Sequence, residues 1–276
     1  MVSADKKLGV FDNPCQGEIM CLLAFHWQPE SDLPLQVWAN RDEFLARPAA
    51  PTQHWLEAPQ ILAGRDLVAG GTWMGVTLNG RFAALTNFRD PTKAAGLRSR
   101  GELVAQFLSS DESALIAAER IAAQANDYAG FNLLLCEGQQ LFCVDDRGQV
   151  QAVNPGWHGL SNARLNTPWP KLQHLVGAAK AWSLSESLVE SCSSAKVAMN
   201  AGYALALLSD TAMASDEDLP DTGVGILMER ALSPICIRTP AYGTRNSTWL
   251  RLSRESVEWH EQDFNIGERV QFSLVR

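Results

Sequence analysis

Asn79-Gly80 sits between two apolar runs, Thr72–Leu78 and Arg81–Asn87. An Asn-Gly link suits the tight turn whose twist matches that of two antiparallel strands. These residues are therefore expected to form a β-hairpin, and hairpins build antiparallel sheets. A second hairpin is expected from Phe131–Cys136 and Leu141–Val144 around Gly138. Upstream, the apolar run Cys21–Trp27 reads as a strand, and Leu35–Ala39 as its partner, with Pro29 and Pro34 in the connection. Ile235–Thr239, Ser247–Leu252 and Arg269–Leu274 are further strand candidates.

Helical patterns lie between these strands. Glu102–Ser109 and Glu112–Asn126 form one group, with Ser110 or Asp111 as the cap of the second helix and Leu115, Ala118, Ile121 and Ala122 on one face. Pro168–Trp182 is another, with Pro168 suited to the first turn. Leu184–Glu190 and Ala204–Ser209 are weaker patterns, and Asp216–Asp221 reads as an acidic loop. Strands and helices in alternating blocks predict an α+β fold, with two antiparallel sheets packed together and helices outside.

Residues 1–19 differ from the rest. They are polar and aperiodic, and the domain is expected to begin at Met20 and run to Arg276 as one unit. The preceding segment reads as an extension, a propeptide or the result of a misassigned start. It has no apolar core of a secretory signal, and no stretch nears the roughly 18 apolar residues that span a bilayer. A cytoplasmic location is the expectation. The net charge is 23 − 31 = −8, which argues against a nucleic-acid partner, since phosphate binding needs a basic face. The six cysteines include no C-x-x-C pair, so no zinc site or dithiol is expected. Cys136 and Cys143 read as core residues.

Four groups of residues stand out for chemistry. Cys21 follows Met20. If the mature chain began there, the thiol would stand beside its own α-amine, whose pKa of about 7.7–8.0 suits a general base. That is the arrangement of an N-terminal nucleophile. As an internal residue, Cys21 reads by position more readily as a buried strand cysteine. Asn40-Arg41-Asp42-Glu43 is the second group. On a regular strand Asn40 and Asp42 share one face and Arg41 and Glu43 the other, so a single pocket holding all four requires a bend. Arg41 near Cys21 would favour a thiolate. The third is Gly70-Gly71-Thr72-Trp73-Met74-Gly75, where glycines permit close approach to a ligand or simply a turn. The fourth is a set of loops carrying Asn87, Asn162 and Arg245, which offer oxyanion donors and a carboxylate-binding guanidinium, or ordinary turn chemistry. Trp27, Trp38, Trp55 and Trp73 predict either an aromatic-lined pocket or core packing. No histidine spacing indicates a metal. His158, beside Gly159, is a weak candidate for a haem axial ligand.

Together these segments resemble the NRDE family, also called the transport and Golgi organisation 2 family. The resemblance rests on Met20-Cys21, Asn40-Arg41-Asp42-Glu43, Gly70-Gly71-Thr72-Trp73, Ala83-Ala84-Leu85-Thr86-Asn87, Gly159-Leu160-Ser161-Asn162, Thr167-Pro168-Trp169-Pro170-Lys171 and Tyr242-Gly243-Thr244-Arg245, and spans residues 20–276. It implies an N-terminal-nucleophile hydrolase-like fold, a four-layer αββα sandwich. It also implies intracellular trafficking of haem, or handling of lipid or acyl-CoA, with no covalent cofactor and with haem as a carried ligand passed to acceptor proteins. In that reading Asn40, Arg41, Asp42, Glu43, Thr72, Trp73 and Arg245 contact a large apolar anionic ligand.

The fold so implied is also that of N-terminal-cysteine amidases acting on bile-salt and penicillin-type amides. Cys21, Arg41 and Asp42 match their Cys, Arg and Asp, although here Arg and Asp are adjacent. The alternative expectation is therefore an amidohydrolase in which Cys21 attacks, Asp42 orients the α-amine, and Asn87 or Asn162 stabilises the oxyanion. The resemblance favours the carrier, and the residues by themselves favour the hydrolase.

Overall fold

The computed structural model describes residues 21–89, 96–187 and 194–276. The expectation for residues 1–19 lies outside them. In chain order, six strands come first: β1 (Cys21–Trp27), β2 (Leu35–Phe44), β3 (Ala49–Trp55), β4 (Ala58–Asp66), β5 (Met74–Thr77) and β6 (Phe82–Asn87). Two helices follow, α1 (Gly101–Ser109) and α2 (Ala114–Ala123). Four strands come next: β7 (Phe131–Glu137), β8 (Gln140–Asp145), β9 (Val150–Ala152) and β10 (Gly156–Leu160). Helices α3 (Pro170–Ser187), α4 (Ser194–Leu207) and α5 (Ile226–Ala231) precede β11 (Tyr242–Leu252), β12 (Ser256–Asp263) and β13 (Arg269–Val275).

One sheet has the order β10-β1-β2-β11-β12-β13, the other β3-β4-β5-β6-β7-β8-β9, and neighbouring strands pair antiparallel. The sheets face each other. Leu23, Phe25 and Val37 of one pack with Val76, Ala84 and Leu134 of the other. The outer face of the first sheet, with Leu22, Ala24, Trp38 and Trp249, packs on Leu172, Leu175 and Leu205 of α3 and α4. The outer face of the second, with Ala83, Leu133 and Leu135, packs on Leu103, Phe107, Ala118 and Ile121 of α1 and α2. The result is an αββα-like sandwich. Because central strands are covered on both sides, they carry unbroken apolar runs rather than alternation.

The Asn79-Gly80 turn joins β5 to β6. Gly80 has φ +81°, which a side chain would strain, and Thr77 and Arg81 close the turn with an N–H···O bond of 2.9 Å. Several boundaries differ from expectation. β5 starts at Met74, because the Thr72 amide donates to Gly101 O and its hydroxyl to Met74 O instead of joining the ladder. β2 does not end at Ala39 but stays extended through the charged run to Phe44. The α2 cap is Ser113, whose Oγ accepts from Ile116 N, rather than Ser110 or Asp111. The register of that helix moves with it: Ala114, Ala117, Ala118 and Ile121 are buried and Leu115 is exposed. Pro170, not Pro168, opens α3. Leu184–Ser187 continues α3, and the remainder of the 184–190 pattern lies outside the described residues. Ile235–Thr239 forms no strand. Cys236 N binds Asp210 O and Ile237 N binds Thr244 Oγ1, so its amides are spent on loop contacts.

Candidate functional site

The β1–β2 register fixes the surroundings of Cys21. Cys21 stands opposite Arg41, and Leu22 opposite Asn40. Directly paired residues project from the same face. Cys21 and Arg41 therefore face the space between the sheets, while Asn40 and Asp42 face the α3–α4 layer. No bend brings the four residues 40–43 together.

A β-bulge in β11 sorts the next strand the same way. Thr244 pairs with Asp42, and Asn246 pairs with Arg41, so Arg245 is the extra residue. Without it Thr244 and Asn246 would share a face. With it, Thr244 Oγ1 donates to Asp42 Oδ1 at 2.6 Å on one side, and Asn246 joins the cavity on the other.

That cavity has a volume of about 300 Å³ and is lined by Cys21, Arg41, Glu43, Thr72, Trp73 and Asn87, among others. Thr72 and Trp73 reach it from the segment before β5. Gly71 lies so close to α1 that a Cβ on it would stand 2.5 Å from the Gly101 carbonyl carbon. Asn87 ends β6. Its Nδ2 is buried with no hydrogen-bond partner among the described residues, and its carbonyl accepts from Asn162 Nδ2 at 2.9 Å. Asn162 thus stands behind Asn87. Its neighbour Ser161 places Oγ 3.1 Å from the Cys21 carbonyl oxygen.

The other sequence candidates divide between wall and scaffold. Asn40 is saturated: Nδ2 donates to Leu208 O and Ile235 O at 2.9 and 2.8 Å, and Oδ1 accepts from Ser247 Oγ. It ties β2 to the segments after α4 and α5. Arg245 donates to the Arg47 carbonyl, and burial together with nearby Arg41 lowers its pKa. His158 uses both ring nitrogens, Nε2 on Asn154 O at 2.8 Å and Nδ1 toward Asn166 Nδ2 at 3.0 Å. Of the four early tryptophans, Trp73 lines the cavity, whereas Trp27, Trp38 and Trp55 pack in the hydrophobic layers. Among the described residues no group of three or more His, Cys, Asp or Glu is placed to hold a metal ion.

Burial pushes the Cys21 thiol up to about 12, reinforced by the Asp42 carboxylate and opposed by Arg41. Bonded to a predecessor, this cysteine is a poor nucleophile at neutral pH. Beneath it lies a pair the sequence reading missed. Lys171, in the first turn of α3, is buried and donates to Leu232 O at 2.9 Å. Burial pushes Lys171 down to about 8, against the pull of Asp42, and pushes Asp42 up to about 7, against the pull of Lys171 and Thr244. The second oxygen of Asp42 is buried with no hydrogen-bond partner among the described residues. Glu261 on β12 was also missed. It lines the cavity, accepts from Thr52, Thr248 and Asn246, and is raised by burial. Lys171 sits within the Trp-Pro-Lys segment that contributes to the resemblance, but nothing in its sequence setting announces a buried ammonium.

The sequence profile of the Transport and Golgi organisation 2 family matches residues 20–265. A Bos taurus protein described as a Transport and Golgi organization protein 2 homolog is 36% identical over 250 residues, which cover 83% of this chain and 87% of the relative. The Homo sapiens homolog is 32% identical over the same shares. Among solved structures, a cysteine-to-alanine mutant of conjugated bile acid hydrolase from Clostridium perfringens superposes with a TM-score of 0.52 at 8% identity, covering 91% of this chain and 92% of that one. That likeness concerns the fold. The profile match and the relatives' identity together make this chain a member of the Transport and Golgi organisation 2 family.

Proposed function

We propose that the protein is an N-terminal-cysteine amidohydrolase acting on a small linear amide, with Cys21 as nucleophile. The observation that carries this reading is that Cys21 and Asn87 line one cavity, and that Asn87 Nδ2 has no hydrogen-bond partner among the described residues. A buried amide donor without an acceptor is a costly feature. An oxyanion formed on attack at Cys21 would fill it.

The reading requires a free α-amine on Cys21, through loss of residues 1–20, or through initiation at Met20 followed by removal of that Met. Asp42 follows Arg41, the cross-strand partner of Cys21, and its carboxylate acts on the Cys21 thiol, which supports a role for it in holding the freed amine. The freed amine takes the thiol proton as sulfur attacks the amide carbon. It returns that proton to the leaving amine as the C–N bond breaks, leaving a thioester on Cys21. Water, deprotonated by the same amine, then releases the acid and restores the thiol. The fold likeness to the bile acid hydrolase supports this assignment.

Transport of haem or an acyl lipid, the other expectation, asks for more room. The cavity, about 300 Å³, lies at the lower end of small-molecule sites, which favours a compact amide. The test is hydrolysis of a panel of small linear amides by protein whose mass shows Cys21 as first residue. Turnover lost in Cys21→Ala supports the reading. Equal turnover by chain retaining Met20 contradicts it.

A further inference from the structure

One charged donor in the cavity beside Cys21 makes a single hydrogen bond among the described residues. Five arginines line the cavity of a protein whose net charge is −8. Four are committed. Arg47 makes two bonds to Asp66, at 3.0 and 2.7 Å. Arg65 binds Glu57 and Gly70 O and stacks on Trp55. Arg98 is paired with Glu102 and lies over Tyr128. Arg100 donates to Gly130 O at 2.9 Å.

Arg41 is different. It is largely buried, with a single side-chain hydrogen bond among the described residues, to Glu43 Oε2 at 3.5 Å. That length is at the outer limit of a hydrogen bond. Glu43 is shared, since the same oxygen faces Arg47 and Oε1 accepts from Phe44 N. A guanidinium carries five N–H donors in a fork matched to a carboxylate. On the cavity wall and with most of that fork uncommitted, Arg41 is placed to receive an anion.

Its place fixes the ligand further. Arg41 and Cys21 are directly opposite in the ladder. Such pairs have Cβ atoms about 4.5–5.5 Å apart. We propose that Arg41 is the specificity-determining residue of this site, binding a carboxylate that lies a few bonds from the amide carbonyl attacked by Cys21. The substrate class is then a small N-acyl amino acid or a close analogue. The inference deepens the amidohydrolase reading and rests on it for the scissile bond. Asn87 receives the oxyanion and Arg41 the carboxylate, so each of the two unfilled donors gains its own acceptor.

The test uses the full chain with Cys21→Ala, so that no turnover intervenes. N-butanoylglycine and its methyl ester are titrated by calorimetry. The acid is expected to bind about tenfold or more tightly than the ester, the ratio of one charge-assisted pair. Adding Arg41→Gln is expected to abolish the preference for the acid over the ester. Arg41→Lys keeps the charge, loses the fork, and is expected to retain part of the preference. Equal binding of acid and ester, no binding of the acid at millimolar concentration, or an undiminished preference in the Arg41 variants overturns the proposal. Acid-selective binding by a protein whose Cys21 form cleaves no amide removes the amidohydrolase reading and leaves the anion site standing.

Discussion

Cys21 and Arg41 are cross-strand partners where β1 begins, and both line one cavity, while Asp42 projects from the opposite face of the same strand pair. A nucleophile and a cation therefore share the ligand side of the sheet. The acid that would hold the α-amine works from behind it. This division follows from strand periodicity alone once β2 is extended through residue 44.

The thiol is the first point to check. Joined to Met20, Cys21 is pushed up to about 12 by burial, so its thiolate is scarce at pH 7. A chain beginning at Cys21 gains an adjacent amine that accepts the proton. Peptide-mapped iodoacetamide labelling of Cys21 at pH 7 should be faster there by about tenfold or more. Equal rates in the two forms would argue against an amine-assisted thiol.

Asn87 and Asn40 should behave oppositely. Asn87 Nδ2 has no partner among the described residues, so Asn87→Ala is expected to leave folding nearly untouched and to lower kcat by about 10²–10³-fold. Asn40 makes three buried side-chain bonds, so Asn40→Ala costs about 2–4 kcal/mol of stability. Urea unfolding beside a kcat measurement separates them. A large stability loss in Asn87→Ala would assign it to the scaffold.

Asp42 and Lys171 predict a stability profile with a trough. Asp42 is raised from 3.8 to about 7, so the folded state holds a proton that the unfolded state has lost, and stability falls as pH rises through that range. Lys171 is lowered from 10.5 to about 8, so the unfolded state binds the extra proton above pH 8, and stability rises from there toward 10.5. The pair weighs most on the fold between about pH 7 and 8. Asp42→Asn with Lys171→Met should be more stable than the parent in that window, with the difference shrinking at pH 5 and pH 10. A difference independent of pH would mean the two groups do not titrate together.

Gly71 is a packing prediction. A methyl group there meets the Gly101 carbonyl, a backbone atom that moves only with α1. Gly71→Ala should cost about 1–3 kcal/mol. Its thermal midpoint should fall by several degrees, and an unchanged midpoint would show that α1 yields easily.

Much of this fold was legible because its strongest signals are local. Asn79-Gly80 and the apolar runs around Gly138 announce their hairpins, and Cys21–Trp27 announces a strand. β3 and β4 were not read, because β3 is an edge strand carrying Pro51 and polar residues. The adjacent Arg41 and Asp42 were readable as opposite-facing, and that is how they lie. Lys171 and Glu261 escaped because burial of a charge depends on tertiary partners, here Asp42 and the Thr52–Thr248–Asn246 set. The bulge at Arg245, which divides Thr244 from Asn246, leaves no mark in composition or period.

Trapping the acyl-enzyme tests the central claim most directly. The purified protein is quenched in acid during turnover of an N-acyl amino acid, and its peptides are weighed. The account predicts a mass gain equal to the acyl group on a peptide whose first residue is Cys21, absent in Cys21→Ala. An adduct on another residue, or on a peptide that still carries Met20, would contradict it.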